Sequence, residues 1–319
     1  MQKLIIDTDP GIDDFLAIAV AQEAKDIDLL ALTTVFGNVD IEQTTKNACY
    51  IAELFNHSFK VIQGAHGPLD KTISGKRDSS QFHAKDGLGN ITNHKTIDLR
   101  HVDLSLSAAH YIVDQANEYK GELNIVTLGA LTNIALALDL DSDLPKKIKQ
   151  VVCMGGAVLT QGNATPAAEF NFWSDPLAAD KVISAGFNLH LVGLDVTQKV
   201  VLDDVFFNEM KTIKKPFIND LYKACQFYTQ AYKEQVKIAG CRCHDPSAVM
   251  YFLKPDLFNC ITGATRVLTE GIGAGQTIID QSHKHSSQKH AWVDIEPVTA
   301  AVAVQEESVK QNILKILNN

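Results

Sequence analysis

Short apolar runs alternate along the chain with longer segments whose apolar residues recur every three or four positions. The short runs have the length of buried strands, and the longer segments have the period of amphipathic helices. This alternation is typical of an α/β protein with an open, mostly parallel sheet and helices on both faces. The predicted strands are Lys3–Ile6, Leu29–Val35, Lys60–Gln63, Leu123–Leu128, Gln150–Met154 and His190–Leu194.

The predicted helices lie between these strands and continue after the last of them. They are Asp13–Gln22, Ile41–Phe55, Ser107–Tyr119, Leu131–Leu140 and Asp175–Ala185. The region Asp203–Leu253 is predicted to be mostly helical. A late set of strands is predicted at Ile261–Glu270, Thr277–Ser282 and His290–Glu296, with a polar loop at His283–His290. No linker rich in Pro, Ser or Gly divides the sequence, so residues 1–319 are expected to form one domain.

Composition and charge narrow the classes of partner. The net charge is −9, and Lys and Arg are scattered rather than clustered, which argues against a nucleic-acid backbone as partner. No apolar run reaches the roughly 18 residues of a membrane-spanning helix. The N-terminus lacks the pattern of a secretory signal, and the six cysteines are irregularly spaced, as reduced thiols are. We therefore expect a cytoplasmic protein that binds a small molecule or a metal.

Four carboxylates follow the first predicted strand within eight residues: Asp7, Asp9, Asp13 and Asp14. Like charges this close repel one another, and a bound cation is the simplest way to keep them ionised together. Oxygen ligands favour calcium or magnesium over zinc, and flexible coordination favours calcium. The alternative is a solvated turn in which Asp13 or Asp14 caps the next helix, but capping explains only one or two of the four.

Further polar clusters follow other predicted strands, where ligands of open α/β sheets bind. Each has an ordinary explanation as a turn, a surface loop or a helix cap; Asp245, for example, could be an N-cap with Pro246 at the first helical position. The clusters are Gly37-Asn38, Gly129-Ala130-Leu131-Thr132-Asn133, the loop from Gly155 to Asn171 with Asn163 and Glu169, and Cys243-His244-Asp245-Pro246.

Two histidines accompany these clusters. Cys241, Cys243 and His244 could suggest zinc, but no second ligand pair at metal spacing exists elsewhere in the sequence. His83 stands in a glycine-containing loop, where an isolated histidine is usually solvated.

Together these segments resemble the inosine-uridine preferring nucleoside hydrolase family, in the same order and over nearly the whole chain. The most specific match is the segment from Asp7 to Asp14, which resembles the DxDPGxDD signature of that family. The resemblance implies a nucleoside hydrolase-like fold with a Rossmann-like core. It also implies hydrolysis of the N-glycosidic bond of ribonucleosides in nucleoside catabolism or salvage, and a homo-oligomer, either dimer or tetramer.

Carried over by position, the resemblance also implies roles for individual residues. Asp9, Asp14, Asp245 and the backbone carbonyl of Leu128 would bind Ca²⁺, and Asp9 would be the general base. The residues implied to hold the ribose hydroxyls are Asp13, Asn38, Asn163, Glu169 and Asn171. His83 and His244 would lie near the base, with His244 a candidate proton donor, and Tyr228 and Tyr232 would assist it or shape the base pocket.

One departure and two rival functions remain. Gly129-Ala130 stands where the family more usually has Gly-Pro, with no expected effect on chemistry. A magnesium-dependent phosphohydrolase of the haloacid dehalogenase type also has a DxD after its first strand, but it favours Thr or Val where this chain has Gly11. A non-catalytic nucleoside- or sugar-binding protein is the other alternative. Purine or pyrimidine preference does not follow from the sequence.

Overall fold

The computed structural model describes residues 1–71, 79–92, 95–103, 105–281, 292 and 295–319. Its strands are β1 Gln2–Thr8, β2 Ile27–Thr34, β3 Lys60–Gln63, β4 Val102–Asp103, β5 Asn124–Thr127, β6 Gln150–Met154, β7 Leu189–Val192, β8 Val201–Leu202, β9 Cys241–Arg242, β10 Phe258–Val267, β11 Thr277–Ile279 and β12 Pro297–Val304.

Helices connect most of these strands. They are α1 Ile12–Glu23, α2 Ile41–Leu54, α3 Ser80–His83, α4 Ala108–Glu118, α5 Thr132–Leu140, α6 Leu144–Lys147, α7 Phe170–Ser174, α8 Pro176–Ile183, α9 Leu194–Thr197, α10 Asp204–Met210, α11 Ile218–Gln235, α12 Asp245–Leu253 and α13 Glu306–Leu317. Among the described helices, none is both long enough and apolar enough to cross a membrane.

Ten strands form one sheet in the order β11-β10-β12-β7-β6-β5-β1-β2-β3-β4. All neighbours pair in parallel except β10, which runs antiparallel to both β11 and β12. The strand β1 lies inside the sheet, and its side chains alternate between two cores: Leu4 and Ile6 pack on one face, and Ile5 packs on the other. Burial on both faces explains why this strand is a continuous apolar run.

The order of the strands fixes where the chain reverses direction across the sheet. From β1 the chain continues outward through β2 and β3 on one side, and β5 then returns to pair with β1 on the other side. Ligands of open α/β sheets bind beyond the carboxyl ends of the strands at such a switch point. The segment after β1 and the segment after β5 therefore meet at one place. These are the segments that begin with Asp9 and with Leu128.

The predicted α/β fold is confirmed, with helices packed on both faces. The six early predicted strands and five predicted helices are present with ends shifted by a few residues, and the region 203–253 is mostly helical as predicted. The late strands need correction. The strand predicted at Ile261–Glu270 runs from Phe258 to Val267, and the one at Thr277–Ser282 ends at Ile279.

The predicted loop His283–His290 and most of the predicted strand His290–Glu296 fall outside the described residues. The strand that was missed from the sequence is β12, immediately after that segment. The six cysteines are unpaired, as the prediction of reduced thiols requires.

Candidate active site

A cavity of about 780 Å³ opens at the carboxyl ends of the central strands. Acidic and amide side chains line one part of it, and aromatic side chains and His244 line another. Eleven of the residues singled out in the sequence line this cavity: Asp13, Asn38, His83, Leu128, Asn163, Glu169, Asn171, Tyr228, Tyr232, His244 and Asp245. Asp9 and Asp14 are more deeply buried than Asp245 and are not among the lining residues.

The segment after β1 forms the turn into α1, and Asp14 serves that turn. The Asp14 carboxylate accepts a hydrogen bond from the backbone N–H of Gly11 at 2.8 Å and another from the hydroxyl of Thr8. Asp14 thus helps to cap α1. The alternative interpretation of the sequence assigned such a capping role to one or two of the four carboxylates. The same carboxylate also faces the other acidic groups, so capping does not account for its whole environment.

Three carboxylates converge in this turn and at the start of α12. Oxygen atoms of Asp13, Asp14 and Asp245 lie within 4.8 Å of one another, and all three residues are buried. Asp245 is the first residue of α12, and His244 occupies the N-cap position, so the Asp245 side chain does not cap that helix. Its pKa lies well above the usual range, first because of burial and then because of the charges of Asp13, Asp14 and Asp9.

Asp9 lies next to this trio. Burial and then the charge of Asp14 raise the pKa of Asp9 well above its usual value. One of its carboxylate oxygens, Oδ2, accepts the backbone N–H of Asn38 at 2.6 Å, and the other, Oδ1, is buried without a hydrogen-bond partner in the described chain. An unpaired buried carboxylate oxygen beside three like charges is the environment that a divalent cation would neutralise.

Two glycines allow the backbone to approach Asp9. A Cβ at Gly37 would lie 2.0 Å from Asp9 Oδ2, and a Cβ at Gly129 would lie 2.6 Å from Asp9 Oδ1. Gly37 follows β2 and Gly129 follows β5, so both strands that neighbour β1 contribute a residue without a side chain. These contacts explain why the glycines stand at those positions in the two motifs.

Leu128, directly after β5, is one of the residues that line the cavity. Its oxygen accepts a hydrogen bond from the Asn171 amide at 2.7 Å, and the same amide donates to the carbonyl of Met154 at 3.1 Å. A carbonyl oxygen has two lone pairs, so this hydrogen bond leaves one free for a cation. The donor set of buried carboxylates and a carbonyl fits calcium, which prefers oxygen ligands.

The two remaining predicted sugar ligands line the cavity but also hold the local backbone. Glu169 is the N-cap of α7 and accepts the N–H groups of Asn171 and Phe172 at 2.9 and 3.2 Å. Burial raises the pKa of Glu169 to about 7, and these hydrogen bonds oppose the shift. The side-chain oxygen of Asn163 accepts the N–H of Phe170 at 2.9 Å, which leaves the Asn163 amide N–H groups for a ligand.

Aromatic residues on α11 connect the acidic cluster with His244. The Tyr228 hydroxyl donates to Asp13 at 3.1 Å, and the Tyr232 hydroxyl lies 2.9 Å from His244 Nε2. The rings of Tyr228 and Tyr232, one helical turn apart, meet edge to face with centroids 4.9 Å apart. His244 Nδ1 is in turn 2.8 Å from the hydroxyl of Thr197. The four residues Tyr228, Tyr232, His244 and Thr197 thus form a continuous line from the carboxylates across the cavity wall.

Burial keeps both histidines of the site neutral. Burial, and then the charges of Arg242 and His83, lower the pKa of His244 to about 3. Burial lowers the pKa of His83 to about 4, and its Nδ1 accepts the backbone N–H of Ile12 at 3.1 Å. His83 is therefore not the solvated loop residue of the ordinary interpretation. A neutral His244 can pass a proton between its two ring nitrogens and their hydroxyl partners.

Several residues at this site were missed from the sequence. Phe82, Trp173 and Arg242 line the cavity, and Thr197 contacts His244. Thr197 was detectable in principle, because it follows β7 closely and residues after the strands were given weight. The suggested zinc ligands do not converge: within the described chain, the group of three or more candidate metal ligands consists of Asp13, Asp14 and Asp245, without Cys241 or Cys243.

The chain matches the family model described as inosine-uridine preferring nucleoside hydrolase over residues 4–311. It is 36% identical to uridine nucleosidase 1 of Arabidopsis thaliana, over 98% of this chain and 92% of that protein. Its structure is similar to that of a plant nucleoside hydrolase, with a TM-score of 0.94, 35% identity and 99% coverage of each chain.

A purine-preferring ribonucleoside hydrolase from Gardnerella vaginalis is also similar, with a TM-score of 0.90, 29% identity, and coverage of 99% of this chain and 98% of that one. None of these matches favours a haloacid dehalogenase-type phosphohydrolase or a non-catalytic binding protein. The chain therefore belongs to the inosine-uridine preferring nucleoside hydrolase family, whose members hydrolyse the N-glycosidic bond of ribonucleosides.

Proposed function

We propose that this hydrolase uses Asp9 as the general base for an attacking water, in a site that holds Ca²⁺ through Asp9, Asp14, Asp245 and the carbonyl of Leu128. The observation that carries the proposal is the unpartnered Oδ1 of Asp9, buried beside three converging carboxylates. A bound calcium ion would act as a Lewis acid that lowers the pKa of a coordinated water, and it could also ligate sugar hydroxyls.

The chain's own residues account for the remaining requirements of the reaction. Asp9 takes a proton from the water as the water oxygen bonds to C1′ of the ribose. The C1′–N bond breaks, and its electron pair leaves with the base. The transition state resembles an oxocarbenium ion, so negative charge near the ribose stabilises it more than it stabilises the substrate. The acidic part of the cavity supplies that charge.

The residues that line the acidic part of the cavity would recognise the sugar. In this proposal the hydroxyls of the ribose contact Asp13, Asn38, Asn163, Glu169 and Asn171. The amides supply both donors and acceptors, which a hydroxyl needs. A deoxynucleoside lacks one of these hydroxyls and leaves buried polar groups unpaired, so we expect much slower cleavage.

The part of the cavity lined by aromatic side chains and His244 would assist the departure of the base. The departing nitrogen takes a proton from His244 as the Tyr232 hydroxyl passes its own proton to His244 Nε2, so the imidazole stays neutral. The proton that Asp9 took from the water then restores Tyr232 through solvent when the products leave. His83, whose ring lies 5.1 Å from that of Tyr228, contributes to the wall of the base pocket and is the second histidine that could assist the departing base. Uridine is the first substrate to test, since a similar protein is named as a uridine nucleosidase.

The test measures metal and activity in the same sample. The purified protein should contain about one calcium per chain, and a chelator should abolish release of ribose from uridine, inosine, adenosine and cytidine. Added calcium should restore it. Full activity in metal-free protein would contradict the calcium part of the proposal, and release of phosphate from p-nitrophenyl phosphate without release of ribose would contradict the whole of it.

A further inference from the structure

The side chain of Arg242 lines the part of the cavity that contains His244. It belongs to the short strand β9, which pairs with β8. Its neighbours Cys241 and Cys243 are buried at 2% and 0% exposure, whereas Arg242 is partly exposed. Side chains alternate along an extended segment, so burial of the two cysteines directs the arginine to the other side, toward the cavity.

The guanidinium of Arg242 differs from those of two other arginines in its contacts. Within the described residues, no acidic side chain pairs with it, and no hydrogen bond reaches its side chain. Two other arginines show the usual arrangement: Arg266 makes two hydrogen bonds to Asp180, at 2.7 and 2.6 Å, and Arg100 pairs with Asp98 at 2.6 Å. An arginine that faces a cavity without a partner keeps its full set of donors available for a ligand.

The charge of Arg242 acts on the residues that would face the departing base. It contributes, after burial, to the lowered pKa of His244, and it opposes the burial effect on the pKa of Tyr232. Apolar and aromatic side chains, such as Val236 and Phe82, also line the cavity. Arg242 is therefore a cationic group beside the base subsite, at the end of the cavity where negative charge appears when the glycosidic bond breaks.

We propose that Arg242 is a base-recognition residue that donates hydrogen bonds to an exocyclic carbonyl oxygen of the leaving base and selects such bases over those with an amino group at that position. The inference rests on the proposed function and assigns this residue a role within it.

Two features of the guanidinium support this selectivity. Arginine has donors and no acceptor, so it can bind a carbonyl oxygen but not an amino group. The other polar side chains that line the cavity include Gln161 and Gln198, whose amides can both donate and accept and so discriminate less. When the C1′–N bond breaks, the electron pair moves onto the base and part of the charge reaches its carbonyl oxygens. A cationic donor stabilises that charge more in the transition state than in the substrate.

The experiment compares two pairs of substrates, uridine with cytidine and inosine with adenosine, using the calcium-loaded full chain. Each pair differs mainly in an oxo or amino group. Arg242→Met should lower kcat/KM for uridine and inosine by about 10- to 100-fold, the value of a charge-assisted hydrogen bond. The loss should fall mainly on kcat, because the contact strengthens as the base departs. Cytidine and adenosine should change by less than about threefold.

Two further variants keep the result interpretable. Arg242→Gln supplies an amide that can donate or accept, so it should reduce the preference within each pair without abolishing activity. Arg100→Met is the matched control, since Arg100 is an exposed arginine paired with Asp98 outside the cavity. It should leave all four rates unchanged. Circular dichroism and the melting temperature show whether each variant is folded.

Selectivity unchanged in both Arg242 variants, or an equal loss on all four substrates, would overturn the assignment. Wild-type protein that cleaves none of the four nucleosides would overturn the proposed function itself. The two failures are distinguishable, because the second appears before any variant is made.

Discussion

At the scale of single residues, Asp9 differs from its acidic neighbours in what its oxygen atoms contact. Oδ2 is fixed by the N–H of Asn38, whereas Oδ1 has no partner in the described chain. Asp14, in contrast, is held by Gly11 and Thr8. A carboxylate that is rigidly held through one oxygen and free at the other is suited to accept a proton from a positioned water.

The first prediction is therefore that Asp9→Asn lowers kcat for uridine and inosine by about 10²- to 10⁴-fold, the typical contribution of a general base. Asparagine has nearly the same shape, so the fold should survive, and with a chelator present the melting temperature should be no lower than that of the wild type. Asp26→Asn, at an exposed position between α1 and β2, is the control and should be fully active. Near-normal turnover by Asp9→Asn would refute the role of Asp9 as the base.

The second prediction concerns His244 and Tyr232. His244→Gln should slow cleavage of uridine by about 10²-fold or more, because the base then leaves without a proton. Tyr232→Phe removes the hydroxyl 2.9 Å from His244 Nε2 and should have a smaller effect in the same direction. A riboside with p-nitrophenol as leaving group needs no proton, so its cleavage should be nearly unchanged in both variants.

The control for this prediction is Tyr222→Phe, on the same helix α11 but outside the cavity-lining residues. It should match the wild type with both substrates. If His244→Gln cleaved uridine at the wild-type rate, or slowed both substrates equally, His244 would not be the proton donor.

The residue types of the site were predictable, but their contacts were not. Four carboxylates behind a strand indicate a cation site from charge repulsion alone, and the structure brings Asp13, Asp14 and Asp245 together. The sequence does not show that Glu169 caps α7, because a Glu in a loop has no period or spacing that reveals its partners. Arg242 was overlooked because its proposed role depends on the lack of an acidic neighbour among the described residues, which no sequence pattern reveals. The assignment of individual residues to calcium and ribose stays a prediction.

At the scale of elements, Asp175 connects three parts of the fold. Its carboxylate caps α8 through the N–H of Ala178 at 3.0 Å, accepts the Thr132 hydroxyl of α5 at 2.7 Å, and accepts the N–H of Leu69 at 2.9 Å. From the sequence, Asp175 was identified only as the first residue of a predicted helix. The Thr132 contact ties the start of α5, within the Gly129 motif, to the start of α8, and the Leu69 contact ties the segment after β3 to the same place.

The third prediction is that Asp175→Ala lowers the free energy of unfolding by about 3 to 5 kcal/mol, because it leaves two buried donors and one partly buried donor without their partner. Asp40→Ala is the matched comparison: Asp40 caps α2 through one bond, to the N–H of Gln43 at 2.9 Å, and is exposed. Loss of this single cap should lower the free energy of unfolding by about 1 kcal/mol. Denaturant titration measures both, and equal effects of the two substitutions would show that Asp175 is only a cap.

Elements with a strong apolar period were predictable, and the others were not. The central strands and long helices bury many large apolar side chains, and these residues form a recognisable pattern in the sequence. The strand β12 has mainly Val and Ala from Val298 onward, so it lacks the large apolar residues that distinguish a strand from a helix. Short helices such as α3, α6 and α7 have four or five residues and complete scarcely more than one turn. No period can be read from so short a segment.

At the scale of the whole molecule, the fold places its acidic segments where they repel one another. Strand order is not encoded in any local pattern, so the sequence alone could not show that β5 returns to β1 and brings Leu128 beside Asp9. That topology unites carboxylates from α1 and α12, elements more than 200 residues apart in the chain. Their mutual repulsion opposes folding unless a cation offsets it.

The fourth prediction follows from this repulsion: calcium should stabilise the whole chain. At a free calcium concentration of 100 times Kd, binding to the folded state adds about 2.7 kcal/mol to the free energy of unfolding. A chelator should therefore lower the melting temperature by several degrees, and calcium should restore it. Differential scanning calorimetry with and without chelator measures the shift.

Asp245→Asn makes this prediction specific to the carboxylate cluster. The substitution removes one negative charge and a proposed ligand, so the variant should melt below the wild type when calcium is present. With a chelator the order should reverse, because the remaining carboxylates repel one another less and the introduced amide can donate a hydrogen bond to Asp14. The two melting curves should therefore cross between the two conditions. If the variant melted lower by the same amount in both conditions, the loss of stability would come from packing. The prediction that the cluster binds a cation would then be wrong.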